Sequence, residues 1–428
     1  MLPFFYRFLT DLGSPVLHLY LRRRLRLGKE DPARLSERFG ISSTLRPEGA
    51  LLWIHAASVG ESVSALPLIQ KLHERHPALQ ILLTTGTVTA ARLMQHRLPP
   101  WVFHQYVPLD RAPYIQRFLD HWRPSVAFWL ESELWPNTLA ALKARKIPVV
   151  LINGSLSERS FRRWRCFSGW AKEILSAFSL CLVQSEADKI RFDALGAERS
   201  LYLGNLKYAA PLLPYDPQAL DALQKQTTGR VLWLAASTHT GEEELALDAQ
   251  QRLIAQRPEI LLCLAPRHPV RGDAIAAAIT KLGFVCARRS KGDPIRPETQ
   301  IYLVDTMGEL GLFYRLCPVS VLGGSFVPIG GHNLIEPAQL GTAILVGPYM
   351  QEYAEITAAF LAQGALVQLN KEDSLASAVL DLVSDSQKRT AQTTAAQRFA
   401  ESKKTILDSV IKATEELTIL PIQKHVSL

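Results

Sequence analysis

At 428 residues the chain exceeds the roughly 250–300 residues at which a single hydrophobic core stops growing, which implies two domains. With 47% hydrophobic and 21% charged residues it has the composition of a folded protein, which excludes a fibrous or disordered chain. The net charge is +8, and residues 1–40 alone hold eight Arg/Lys against four Asp/Glu. No aromatic-rich basic patch of nucleic-acid type accompanies this excess, so it points to an anionic surface or substrate and not to nucleic acid. Cys166, Cys181, Cys263, Cys286 and Cys317 are odd in number and lack C-x-x-C spacing. They read as reduced core residues, with no cysteine-held metal.

The stretch Phe4–Leu21 is apolar but contains Arg7, Asp11, Gly13 and Pro15, and Arg22-Arg23-Arg24-Leu25-Arg26 and Lys29 follow it. A clean membrane span needs about 20 apolar residues, and no small-residue cleavage site marks a signal peptide. The pattern predicts a segment dipping into the cytoplasmic face of a bilayer, its arginines on anionic headgroups. A single pass with the arginines inside and a helix packed on its own domain are the alternatives. Arg34–Gly40 reads as a short helix closed by a glycine, its charges forming a solvated face.

Leu51–His55 has the pattern of a strand, and a helix pattern resumes at Ser62 with Val63, Leu66, Ile69 and Leu72 inward. Glu61 therefore falls where a strand hands over to a helix. Ligands of open parallel sheets bind at that end of the strands, and a carboxylate there suits a general base; a first-turn Glu complementing the helix dipole is the bland alternative. Further strands are expected at Ile81–Thr85, Val126–Leu130, Val149–Asn153, Leu180–Gln184 and Leu201–Leu203, with a helix around Ala90–Gln95. Glu131 and Glu133 follow Val126–Leu130, and side chains one residue apart in extended chain point opposite ways, so one of the two should face the ligand. Ser160–Arg165, basic and aromatic, reads as a surface helix or a clamp for an anionic acceptor.

Pro211–Gly229 reads as a linker, after which the alternation restarts with strands at Val231–Ala236, Leu261–Ala265, Ile301–Val304, Val319–Leu322 and Ala343–Val346. Ser237–Glu244 offers Ser/Thr caps for a helix with acids in its first turn. A closing helix is expected from Ser386 to Glu416. The stretch Gly323–Pro337 crowds four glycines, His332, Asn333 and Glu336 between a buried strand and a helix, which predicts a phosphate or nucleotide cradle. The fold class is thus α/β, two doubly wound Rossmann-like domains with a ligand cleft between them. The expected boundaries are a membrane-associated segment 1–30, a first domain 31–210, a linker 211–229 and a second domain 230–428, the last helix packing back on the first domain. No G-x-G-x-x-G follows the first strand of either half, no G-x-x-x-x-G-K-[ST] loop appears, and no metal-ligand spacing stands out.

These motifs come in a fixed order: W-x-H-x-A-S-V-G-E-S at Trp53–Ser62, E-S-E-L-W-P-N at Glu131–Asn137, G-N-L-K at Gly204–Lys207, S-T-H-T-G-E-E at Ser237–Glu243, P-R-H-P at Pro266–Pro269, D-T-M-G-E-L at Asp305–Leu310 and Gly323–Pro337. Over nearly its whole length the chain resembles the 3-deoxy-D-manno-octulosonic acid (Kdo) transferases of the lipopolysaccharide inner core. The resemblance implies a GT-B glycosyltransferase at the cytoplasmic face of the inner membrane. It would move Kdo from CMP-Kdo to a lipid A precursor with inversion, and with neither metal nor cofactor. By motif, Glu61 matches the family's proton acceptor, and Glu131 and Lys207 match its transition-state stabilisers. Pro266, Arg267, Met307, Gly308, Glu309, Asn333, Leu334, Ile335 and Glu336 match the segments that hold CMP. Arg34, Glu37 and Arg38 match an R-x-x-E-R-x-G element on the acceptor side. Ser155 stands where related enzymes have Arg, a departure that bears on acceptor contacts. A sugar-nucleotide epimerase or hydrolase, and a membrane-docked binding protein, are the rival readings.

Overall fold

The computed structural model describes residues 6–7, 10–131, 133–209 and 212–416. The chain divides into two compact units, Met1–Ala210 with Lys404–Leu428, and Pro211–Lys403. Each is built on a seven-stranded sheet. In the first, β1 (Leu51–Ala56), β2 (Gln80–Thr85), β3 (Val102–Tyr106), β4 (Val126–Leu130), β5 (Val149–Gly154), β6 (Leu180–Val183) and β7 (Ser200–Tyr202) lie in the order β3-β2-β1-β4-β5-β6-β7, all parallel. The second holds β8 (Val231–Thr238), β9 (Ile260–Pro266), β10 (Cys286–Arg288), β11 (Ile301–Leu303), β12 (Val319–Leu322), β13 (Ala343–Val346) and β14 (Val367–Gln368). Their order is β10-β11-β9-β8-β12-β13-β14, again parallel.

Fully buried runs such as Leu51-Leu52-Trp53-Ile54 and Val126–Leu130 form central strands because helices cover both faces of a parallel sheet. Strand order reverses between β1 and β4 in the first unit and between β8 and β12 in the second. Such reversals open a crevice at the carboxyl ends of the strands.

Several expectations shift. The helix after β1 starts at Val59, not Ser62, with Ser58 as N-cap, so Glu61 lies in its first turn. Its inward residues include Ser62, Ala65 and Leu68, while Val63 and Leu66 are only partly buried. β3 is unpredicted because His104 and Gln105 interrupt its apolar pattern; β10 and β14 have three and two residues. The linker stretch contains a helix, Pro217–Gln226, capped by Asp216. The closing helix is two, Ser386–Ser402 and Ile406–Glu416. The second belongs to the first unit, where Ile406, Leu407, Val410 and Ile411 join its core. Asp408 pairs with Lys71 and Arg75 at 2.6 Å each, and Glu415 with His76 at 2.9 Å, bracing the helix that carries Glu61.

The segment Pro32–Phe39 is a 3-10 helix, and its charges are not a solvated face. Arg38 and Glu37 are buried. Arg38 binds Glu30 (2.9 Å) and the Val107 and Gly86 carbonyls; Arg34 binds Glu37 (2.8 Å) and the His104 carbonyl (2.9 Å); Glu37 accepts the Tyr106 N–H at 2.6 Å. Gly40 closes the segment at φ 76°, and a Cβ there would collide with the Tyr114 carbonyl.

Phe4–Leu21 falls partly outside the described residues. Ser14–Arg26 is a helix, docked by buried Leu21 and by His18 stacked on Phe39 at 5.4 Å. Val16 and Leu19 are 69% and 63% exposed, as is Leu12 just before the helix at 68%. Among the described residues no helix is long and apolar enough to cross a membrane.

Candidate active site

In the first unit the side chains converge at the β1/β4 reversal. Ser58 accepts the Glu61 N–H at 3.3 Å, and Glu61 Oε2 accepts the Ala57 N–H at 2.7 Å. Glu61 is 6% exposed. Burial raises its pKa; the Ser58 hydroxyl, the Ala57 N–H and His55 pull the other way, while the negative charge of Glu131 adds to the rise. A carboxyl held toward the neutral range suits proton transfer near pH 7.

Glu131 follows β4 at φ +57°, left-handed for a residue with a Cβ, and donates its N–H to the Ile152 carbonyl at 2.9 Å. The chain is therefore not extended at that point, and the alternation argument for Glu131 and Glu133 fails. Glu133 also turns toward β1: its carboxylate lies 3.7 Å from His55 Nε2 and accepts from Trp135 Nε1 at 3.1 Å. At 3.7 Å the His55 contact is an ion-pair distance and not a hydrogen bond. Contact with His55, ahead of the opposing burial, lowers the pKa of Glu133. Ser132 lies outside the described residues.

His55, itself fully buried, meets Thr84 Oγ1 at 3.0 Å and packs on Trp129 and Trp135. Sequence reading missed this residue, although the H of W-x-H was the signal, and left Glu133 as one of two carboxylates of which one would face the ligand. Asn153, expected only as the end of its strand, also sits left-handed at φ +60°, and its Oδ1 accepts the Leu206 N–H at 2.8 Å. That bond seats the backbone of the turn Leu206–Ala209, which includes Lys207; the Lys207 side chain lies outside the described residues. Asn137 and Thr138 are tied to Asp110, at 3.1 and 2.8 Å through their N–H groups, a structural use of that motif.

In the second unit the nucleotide-motif residues gather above β8, β9, β11 and β12. Pro266 ends β9, and the Arg267 N–H is bonded to Thr238 O at 2.9 Å, leaving its side chain exposed. Pro266, Arg267, Met307, Gly308 and Glu309 line one small cavity of about 90 Å³. Glu309 is gripped by Arg289 at 2.6 Å and by Thr306. Its pKa falls despite burial because these donors favour the anion. Asn333 and Glu336 are half-exposed and joined at 3.2 Å, whereas Leu334 and Ile335 are fully buried and serve packing. Burial, with the negative charges of Glu336 and Glu352, raises the pKa of the Tyr353 phenol, and the positive charge of Arg267 opposes the rise.

The glycine cradle is not open as expected. The N–H groups of Gly324 (2.7 Å), Ser325 (3.1 Å) and Phe326 (2.9 Å) all donate to the carboxylate of Glu242, as does the His239 N–H at 2.9 Å. Glu242 comes from the helix Glu242–Ile254, whose N-cap is Gly241 and not a Ser or Thr. Gly324 sits at φ +65° with His332 Nε2 just 3.1 Å from where a Cβ would stand. The helix after the second glycine pair, Ile335–Gln339, has five residues. Among the described residues no three His, Cys, Asp or Glu side chains form a group that could hold a metal ion.

Two parallel, doubly wound sheets with polar clusters at their strand reversals define an α/β protein of the GT-B type. Its fold is shared with the UDP-GlcNAc 2-epimerase of Neisseria meningitidis bound to UDP-GlcNAc, at a TM-score of 0.56 and 13% identity over 85% of this chain and 100% of that one; this likeness bears on the fold alone. Residues 33–210 match the family model of 3-deoxy-D-manno-octulosonic-acid transferase. The chain is 38% identical to a probable mitochondrial 3-deoxy-D-manno-octulosonic acid transferase of Arabidopsis thaliana, over 83% of this chain and 81% of the relative. It is 33% identical to the 3-deoxy-D-manno-octulosonic acid transferase of Rickettsia bellii, over 95% and 97%. The chain belongs to the Kdo transferase family and is a glycosyltransferase.

Proposed function

We propose that this enzyme transfers Kdo from CMP-Kdo to a lipid A precursor in lipopolysaccharide biosynthesis, inverting the anomeric carbon and using no metal. The observation that carries this reading is the carboxylate of Glu61, held by Ala57 and Ser58 beside Glu131 at the β1/β4 reversal, in a chain of this family. Glu61 takes the proton from the acceptor hydroxyl as it attacks the anomeric carbon. The transition state carries positive charge on the sugar ring and growing negative charge on the departing phosphate. Glu131 meets the first; Lys207 and Arg267 meet the second, with the nucleotide held by Pro266, Met307–Glu309, Asn333 and Glu336. Arg34, half-exposed, reaches the acceptor; buried Glu37 holds it in position, while buried Arg38 ties the same segment to Glu30.

The acceptor is a membrane glycolipid, and the N-terminal helix suits the cytoplasmic face of an anionic inner membrane. Val16 and Leu19 enter the interface while exposed Arg22, Arg23 and Arg26 meet lipid headgroups. The test is mass spectrometry of a lipid A precursor incubated with CMP-Kdo and the purified protein, with and without EDTA. A lipid product heavier by Kdo, formed equally in both, is expected. Donor hydrolysis without a lipid product would remove the transfer reading, and loss of product in EDTA would remove the metal-free one.

A further inference from the structure

His239 and His332 meet edge to edge through their Nε2 atoms, which lie 3.1 Å apart, with centroids 5.3 Å apart and ring planes within 18°. Two ring nitrogens this close hold one proton between them, since one must donate while the other accepts. The rings come from opposite sides of the strand reversal, His239 following β8 and His332 following β12. The clamp at Glu242 fixes both loops, through the His239 N–H on one side and Gly324–Phe326 on the other. Burial is the main force keeping both rings neutral. Arg267 and His268 oppose protonation of both; Glu242 and Glu243 favour it at His239, and the Ser237 carbonyl favours it at His332. The transfer mechanism above uses neither ring.

We propose that the His239–His332 pair is a proton-linked anion site of the donor pocket, taking up a proton from solvent and presenting a ring N–H when a phosphate diester binds beside Arg267. This rests on the reading of Arg267 as a donor-phosphate contact. An anion there cancels the positive charge that now resists protonation and offers the second N–H an acceptor. Because coupling is reciprocal, the anion then binds more tightly as pH falls. Negative charge on the phosphate grows as the glycosyl bond breaks, so the added N–H stands where that charge develops.

The test is calorimetric titration of the full-length protein with cytidine 5′-(methyl phosphate), whose single negative charge does not titrate between about pH 6 and 8, unlike that of a phosphate monoester. Binding should tighten about threefold or more from pH 8 to pH 6, with heats that differ between buffers of different ionisation enthalpy. Both effects should vanish in His239→Gln and in His332→Gln and persist in His268→Gln. Equal affinity at both pH values with buffer-independent heats overturns the proposal while leaving the donor pocket standing. Linkage lost only in His268→Gln overturns it as well. No binding of the diester at any pH overturns the reading of Arg267 beneath it. Should a substitution unfold the protein, ring-nitrogen NMR of the wild type reads the same event. The signals of both histidines should move toward the protonated form on adding the diester at pH 6, and unmoved signals overturn the proposal.

Discussion

Glu61 and Glu242 occupy matching places in the two units. Each lies in the first turn of the helix that follows the first strand of its sheet, beside a strand reversal. Glu242 accepts four backbone N–H groups and is locked into the glycine loop. Glu61 accepts one, from Ala57, and burial, with the negative charge of Glu131 added, raises its pKa. One architecture therefore yields a structural clamp in one unit and, in the other, the carboxyl proposed as proton acceptor. The loops, not the sheets, decide which.

The largest effect expected is on the clamp. Glu242→Ala leaves three loop amides and the His239 N–H without their acceptor; hydrogen bonds to charged groups contribute roughly 1.5–3 kcal/mol each and do not add simply. A loss of about 3 kcal/mol or more in urea unfolding of the second unit is expected, and a loss below about 1 kcal/mol would end the comparison. Next, Arg267→Ala should weaken CMP binding about ten- to hundredfold, the size of one lost charge-assisted bond, with unfolding unchanged because its side chain is exposed.

The pH response comes third. Burial, then Arg34, pushes His104 down to about 3, and burial, then His239 and Arg267, pushes His332 down to about 4. The unfolded chain protonates both near 6.5, so it binds more protons than the folded one between that value and the folded pKa. Stability should fall with pH from about 6.5 downward, by up to about 1.4 kcal/mol per pH unit for each histidine. His104→Gln should flatten that slope in urea midpoints measured at pH 7 and pH 5, and an unchanged slope would count against it. The smallest effect is expected at the N-terminus. Leu19→Ser should weaken partition onto anionic vesicles about fivefold, roughly 1 kcal/mol of lost apolar burial, with CMP binding unaltered. Equal partition would place the helix off the membrane.

Most strands were legible because long apolar runs such as Val126–Leu130 and Val319–Leu322 need burial on both faces. β3 was not, because its polar residues answer to tertiary partners; Gln105 meets the Trp122 indole at 2.7 Å. Within the candidate site, residue types and order put Glu61 at a strand-to-helix turn and Arg267 just past a strand end, but did not give their surroundings. Nothing local foretold that Glu131 leaves the extended conformation or that Glu133 lies against His55. Nor could sequence show that a glutamate 82 residues before Gly324 fills the glycine loop. Such contacts depend on which strand ends the reversal brings together.

The most direct measurement is single-turnover Kdo transfer by Glu61→Gln, read alongside CMP affinity on the same sample. A transfer rate lower by about 10²–10⁴-fold at unchanged CMP affinity is the expected result. Transfer at the wild-type rate would contradict the assignment of the proton to this carboxylate.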